Sequence, residues 1–146
     1  MLLTSLAEIE GAIRAAWSPD TCDPVDLPHW SSANPACGQC GVTALLVREL
    51  LGGELLLGTV LRRDGTRQGV HYWNRLGGGV EVDLTREQFT SDEVVQAPVV
   101  VDPPPGPPER LRDQHLLLRR RVLDSLDITQ PSQSPVPATG QTRRGR

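Results

Sequence analysis

Two glycine-bearing turns, Asp64-Gly65 and Leu76-Gly77-Gly78, cut the middle of this chain into three short apolar segments, and that punctuation calls for an antiparallel meander. Residues 54–62 carry Leu55, Leu56, Leu57, Val60 and Leu61, residues 69–75 carry Val70, Tyr72 and Trp73, and residues 79–85 carry Val80, Val82 and Leu84. Each run is too short for a stable helix and has the length and apolar content of a strand. With Leu76-Gly77-Gly78 as a three-residue loop, Arg75 pairs with Gly79, and counting outward sets His71 opposite Asp83. The same register sorts the faces. Val70, Tyr72, Val80, Val82 and Leu84 share a side expected to pack, while His71, Trp73, Glu81 and Asp83 share the side left for chemistry.

Helical periodicity brackets the meander. Ser5 and Glu8 have capping-box spacing, and Leu6, Ile9, Ile13, Ala16 and Trp17 recur at helical intervals, which predicts a helix over residues 6–17 ended by Ser18-Pro19. Pro19, Pro24, Pro28 and Pro35 then punctuate a loop without period that reaches Gly38, and Trp30 within it argues for partial burial. A second helix begins at Gln39 or Cys40 and runs to Leu51, stopped by Gly52-Gly53. Residues 85–89 read as a short helical turn, and residues 94–101 as a strand broken by Pro98. Residues 103–108 form a polyproline linker to a helix over 109–126 with Leu111, Leu118, Val122 and Leu126 in one stripe, and residues 127–146 have the composition of a disordered tail. The expectation is one α+β domain over residues 1–126: the Cys40 helix on a small antiparallel sheet, flanked by N- and C-terminal helices.

Composition narrows the function. Only 3% of residues are aromatic and the net charge is −3, so the core is small and there is no basic field for nucleic acid. The arginines of the last helix and tail (Arg110, Arg112, Arg119, Arg120, Arg121, Arg143, Arg144, Arg146) read as a solvated face rather than an anionic-ligand site. No apolar run reaches the ~20 residues of a membrane span, and Glu8 and Glu10 interrupt the N-terminal run where a signal peptide would be continuous. A cytoplasmic protein with reduced cysteines follows as an expectation, with no nucleic acid, membrane or cofactor involved.

The chemistry centres on Cys40. A thiol is mostly protonated at neutral pH, and the unpaired N–H groups of a helix start together with a nearby imidazolium favour its thiolate. Cys40 sits at such a start, His71 would act as general base and acid, and Asp83 would hold the imidazole in orientation. The first N–H groups of the helix, with the Gln39 side chain, would receive an oxyanion, Gly41 would leave room for a substrate carbonyl, and the Trp30 loop would wall the groove.

Gly38-Gln39-Cys40, His71-Tyr72-Trp73-Asn74 and Asp83-Leu84-Thr85 resemble, in order, the three catalytic signatures of the transglutaminase-like superfamily. The resemblance implies a papain-like core with Cys40, His71 and Asp83 as triad, and Trp73 and Asn74 as the positions beside the histidine. Over most of its length, from Ala16-Trp17-Ser18 through Asn34-Pro35-Ala36 to the Arg-rich helix, the chain also resembles the bacterial YunG-like family, which brings relatives but no substrate. The implied activity is hydrolysis or transfer of an amide, peptide-like or thioester acyl group through an acyl-Cys40 intermediate, on a small-molecule or peptide-like substrate. Two alternatives remain at this level. Cys22, His29, Cys37 and Cys40, with Cys37-Gly38-Gln39-Cys40 as a knuckle, make a chemically sensible zinc set for a non-catalytic interaction module. A catalytically inactive binding protein on the same fold is the other.

Overall fold

The computed structural model describes residues 4–102 and 110–129. The expected linker over 103–108 and nearly all of the expected tail lie outside the described residues. Helix α1 spans Leu6–Ala16 and starts on the predicted capping box: Ser5 Oγ accepts from the Glu8 N–H at 3.1 Å, and the Ser5 N–H donates to Glu8 Oε2 at 2.8 Å. Such reciprocal caps satisfy two donors that a helix start would otherwise leave bare, worth about 1 kcal/mol. The α1 face Ile9, Ala12, Ile13, Ala16 is buried. Helix α2 spans Cys40–Leu51, buries Val42, Ala44, Leu46 and Val47, and ends at Gly52 in a positive-φ conformation.

The sheet is antiparallel and five-stranded: β1 Glu54–Leu61, β2 Arg67–Arg75, β3 Glu81–Val82, β4 Val94–Val95 and β5 Val99–Val101. β2 lies between β3 and β1, and both β4 and β5 pair with the other edge of β1. Pro98 thus separates two short strands along one edge, where a residue without an N–H does not interrupt a central ladder. The molecule is α+β, as the alternation of periods requires.

The β2–β3 loop corrects the sequence register. Arg75 pairs with Glu81 and Asn74 with Val82, while the Leu76 N–H donates to the Val80 carbonyl at 2.7 Å. The loop therefore has three residues, but they are Gly77-Gly78-Gly79, with Gly78 at φ 84 and Gly79 at φ 83. Glycine is the residue that takes this left-handed conformation freely, and two of them in succession draw the turn one position along. Moving a hairpin loop by one residue slides the pairing by two, and a two-residue slide preserves which side chains share a face. Glu81 reaches diagonally to Trp73 Nε1 (2.8 Å) and Asp83 reaches diagonally to His71 Nε2 (2.7 Å), so the expected His71–Asp83 contact forms without the two residues being opposite each other.

The expected roles of the two faces hold only in part: Val82 and Leu84 join the core, but Val70 and Val80 are exposed, and His71 and Trp73 on the other face are buried. The reason is the chain after β3: it returns across the His71 face, setting Phe89 edge-on to the imidazole at 4.8 Å and the Gln96 carbonyl against Gly58. Gly58 is required there, since a Cβ would lie 2.8 Å from the Trp73 ring.

Helix α3, Arg112–Thr129, packs against α1 and α2. Leu118, Val122 and Leu126 join Ile9, Ile13, Leu46 and Val82 in the main core, in the stripe read from the sequence. Several flanking arginines are anchored rather than simply solvated. Arg110 forks onto Asp23 at 2.8 and 2.9 Å, Arg119 meets Glu49 at 2.6 Å, and Arg121 donates to the Ala16 carbonyl and Ser18 Oγ. No helix among the described residues is long and apolar enough to cross a membrane.

One buried group in this interface carries a pH dependence. His115 is buried on α3, neither ring nitrogen has a hydrogen-bond partner among the described residues, and Glu49 Oε2 lies 3.8 Å away. Burial pulls its basicity below the ordinary imidazole value, with Arg119 adding to the shift and Glu49 opposing it. The unfolded chain then binds a proton that the folded chain resists, so this contribution to stability is complete above the free-histidine pKa and is lost as pH falls below it. Urea midpoints compared at pH 7.5 and 5.5 should show a smaller acid-side loss in His115→Leu than in the unmodified protein.

Candidate active site at the start of the second helix

The site begins with the loop that delivers Cys40. Gly38 has φ +69, and a Cβ on it would sit 2.4 Å from Cys22 Sγ and 2.9 Å from Asp26 Cβ. Its carbonyl accepts from the Asp23 N–H at 2.9 Å. Gln39 follows, fully buried, with Oε1 accepting from Thr21 Oγ1 at 2.8 Å and Nε2 donating to the Ser18 carbonyl at 3.0 Å. Both ends of its amide bond to the loop after α1, so Gln39 ties that loop to the start of α2. α2 has no side-chain cap, so the N–H groups of its first turn keep the unpaired donors of a helix start.

Cys40 is half-buried, and the Tyr72 backbone N–H is directed at its sulfur. That approach is open because the β3 ladder stops at Asn74–Val82, leaving the edge of β2 beyond it to α2. Burial pushes the Cys40 thiol up to about 11, the Tyr72 N–H opposes the rise, and the charges of Asp26, Asp83 and Asp23 add to it. The thiol expected to be pre-ionised is therefore a protonated one in this arrangement, because burial disfavours the thiolate and the charges of Asp26, Asp83 and Asp23 add to that effect.

His71 is fully buried next to it in β2, between Trp73 (ring centroids 5.4 Å apart, stacked) and the edge-on Phe89. Its two nitrogens have different partners, Asp83 Oδ2 at 2.7 Å on Nε2 and Gln88 Nε2 at 3.4 Å on Nδ1. Hydrogen-bond logic fixes the tautomer. The Gly38 N–H can only donate and meets Gln88 Oε1 at 3.4 Å, so the amide nitrogen of Gln88 is the end facing the ring. That nitrogen donates, so Nδ1 accepts and the ring proton is on Nε2, toward Asp83. Asp83 is held in turn by the Thr85 N–H at 3.3 Å. No hydrogen bond joins His71 to Cys40; Gln88 occupies the Nδ1 side of the ring.

The remaining expected residues divide clearly. Trp73 forms one wall of the imidazole slot. Asn74 is buried and donates to the Ala44 carbonyl at 2.9 Å, fastening β2 to α2 rather than lining a groove. Gly41 gives its space to Leu111, whose Cδ1 would be 3.0 Å from a Cβ there. Trp30 closes its own loop through Nε1 to the Pro35 carbonyl. Glu81, on the same face as Asp83, accepts from Trp73 and leaves His71 to Asp83. The Cys22 thiol is turned to the Asp23 and Cys37 carbonyls, and its basicity is raised to about 12, chiefly by burial. Among the described residues no group of three His, Cys, Asp or Glu side chains converges as a metal cage. Gln88 escaped the sequence reading, since only the fold brings the turn over Arg86–Gln88 against residue 38.

Helices packed on a small antiparallel sheet define the class, an α+β protein, in which a buried His71–Asp83 pair is linked through Gln88 and Gly38 to the segment that opens into the helix-start cysteine. The chain belongs to the YunG family, the YunG protein family matching residues 5–127. It is 35% identical over 94 residues to the uncharacterized protein YunG of Bacillus subtilis (strain 168), a match covering 64% of this chain and 66% of that relative, just under two thirds of its length. No solved structure matches the chain.

Gly38→Ala tests the loop geometry. A side chain there combines positive φ with a clash against Cys22, so urea denaturation should show a loss of about 2 kcal/mol or more. A substitution at Gly65, which also has positive φ but open space around it, should lose less.

Proposed function

We propose that this protein catalyses cysteine-dependent acyl transfer or hydrolysis, taking an amide, peptide-like or thioester carbonyl through an acyl-Cys40 intermediate. The observation that carries the reading is the state of His71: sealed from water, its Nε2 proton held by Asp83 at 2.7 Å, its Nδ1 lone pair turned toward the segment that leads into Cys40. That Nδ1 lone pair is the basic site an acyl transfer through Cys40 would use. In this reading the core is papain-like, of the transglutaminase-like kind, and the three free cysteines suit a reducing cytoplasm.

The chemistry follows from the raised thiol. Because burial holds Cys40 near 11, its proton leaves as the sulfur attacks, passing to His71 Nδ1 rather than residing there beforehand. The carbonyl carbon gains the C–S bond, and its oxygen takes negative charge toward the first N–H groups of α2. Asp83 steadies the imidazolium. The tetrahedral centre then collapses, the leaving amine or thiolate takes the Nδ1 proton, and acyl-Cys40 remains until water or an amine, deprotonated by Nδ1, displaces the sulfur.

Burst kinetics with p-nitrophenyl acetate and an acyl thioester, read with mass spectrometry of the acylated cysteine, test the reading. One acyl group should appear on Cys40 and not on Cys22 or Cys37, and Cys40→Ala should abolish the burst. His71→Ala should slow acylation by about 10²-fold or more, and Asp83→Asn by about tenfold or more. Equal acylation of all three cysteines, or a burst indifferent to His71, sinks the proposal.

A further inference from the structure

Gln88 stands outside the predicted triad yet, among the described residues, is the hydrogen-bond partner of the His71 nitrogen that Asp83 does not reach. Its carboxamide is a two-ended bridge: Oε1 takes the Gly38 N–H at 3.4 Å and Nε2 faces His71 Nδ1 at 3.4 Å. Both distances are at the long end of hydrogen bonding, the range of contacts that hold a group in place and still give way. The backbone that carries Gln88 is fixed separately, its carbonyl accepting from Asn34 Nδ2 at 3.3 Å and its N–H donating to the Thr85 carbonyl at 3.0 Å. The side chain can therefore leave while the turn stays.

We propose that Gln88 is a positioning residue that keeps His71 in its Nε2–H tautomer and caps Nδ1 in the resting protein, so that an acyl substrate has to displace the amide before Nδ1 can take the Cys40 proton. This rests on the acyl-transfer reading for its purpose, though not for its geometry. Two hydrogen bonds to one imidazole define the same tautomer from opposite sides: a carboxylate that only accepts on Nε2, and an amide N–H that only donates on Nδ1. Removing the amide leaves Asp83 holding the proton on Nε2 and frees Nδ1. Replacing it by a carboxylate inverts the preference, because an acceptor on each side draws a proton onto each nitrogen. The carboxylates that bear on Cys40 are Asp23, Asp26 and Asp83, with the Arg110 guanidinium paired to Asp23, and a further carboxylate at position 88 would favour imidazolium while working against a thiolate.

The test uses the full-length protein with 15N-labelled histidine. Gln88→Met keeps the length of the side chain without its donor or acceptor, and Gln88→Glu keeps the shape with the donor lost; far-UV circular dichroism checks that each is folded. In the unmodified protein the His71 nitrogens should give the Nε2–H signature. Gln88→Met should move the Nδ1 shift toward that of an unbonded lone pair and speed iodoacetamide alkylation of Cys40 at pH 8 by about tenfold, the scale of a base gaining a free path to its proton donor. That acceleration should vanish when His71→Ala is added. Gln88→Glu should extend imidazolium to higher pH and slow alkylation. A folded Gln88→Met with an unchanged Nδ1 shift and an unchanged Cys40 profile overturns the assignment. If the nitrogen shifts respond as stated while acylation is indifferent to His71, the acyl-transfer reading falls and Gln88 remains the residue that caps His71 Nδ1.

Discussion

An imidazole sealed from solvent must satisfy both ring nitrogens within the protein or lose the hydrogen bonds it had in water, at a cost of about 1–3 kcal/mol for each left bare. His71 is in that position, and the surrounding structure follows from how its needs are met. Asp83 satisfies one nitrogen, which draws the chain leaving β3 back across β2. The turn over Arg86–Gln88 brings Gln88 to the other nitrogen and Phe89 to the ring edge, and the same turn reaches residue 38. One buried ring thus joins the sheet, the return segment and the loop that presents Cys40. His115 is the contrast: buried on the helical side without a hydrogen-bond partner among the described residues, it remains a point where acid weakens the fold.

The loop before α2 is organised by a different buried polar group. Gln39 satisfies its amide on Thr21 and Ser18, and Gly38 folds so closely over Cys22 that no side chain fits. Proline-rich connections are seldom this determined. Here a fully buried amide and a positive-φ glycine do for the loop what a ladder does for a strand, and Arg110 clamps its Asp23 from the far end of the chain. The position of the sulfur is consequently set by the loop as much as by the helix it opens.

Much of this was legible in the residues. The capping box at Ser5, the stop at Gly52, the stripe of α3 and the α+β class rest on local periodicity and caps, which act over a few residues and so are written locally. The His71–Asp83 contact was legible for a subtler reason: a register wrong by two residues still keeps both on one face, and a diagonal reach closes the gap. What the sequence did not disclose were long-range commitments. Nothing in the order of residues says that Gln39 turns inward to Thr21, that Asn74 fastens a helix, or that Gln88 arrives at Nδ1. Nor does a helix-start cysteine reveal that carboxylates and burial surround it, which is why its thiol is raised rather than lowered. Side-chain amides have no periodicity of their own, and their partners are selected by tertiary geometry.

The helical layer has one further consequence, for the order of assembly. Residues 40–89 hold α2, the central hairpin and every group around His71, all joined by contacts that are short in sequence, whereas α1 meets α3 across roughly a hundred intervening residues. Closing that large loop carries the greater entropic cost, so the cluster around the sulfur forms before the terminal helices dock. Leu111, seated over Gly41 just before α3, is then among the last pieces to arrive, and the start of α2 stays more open until α3 docks.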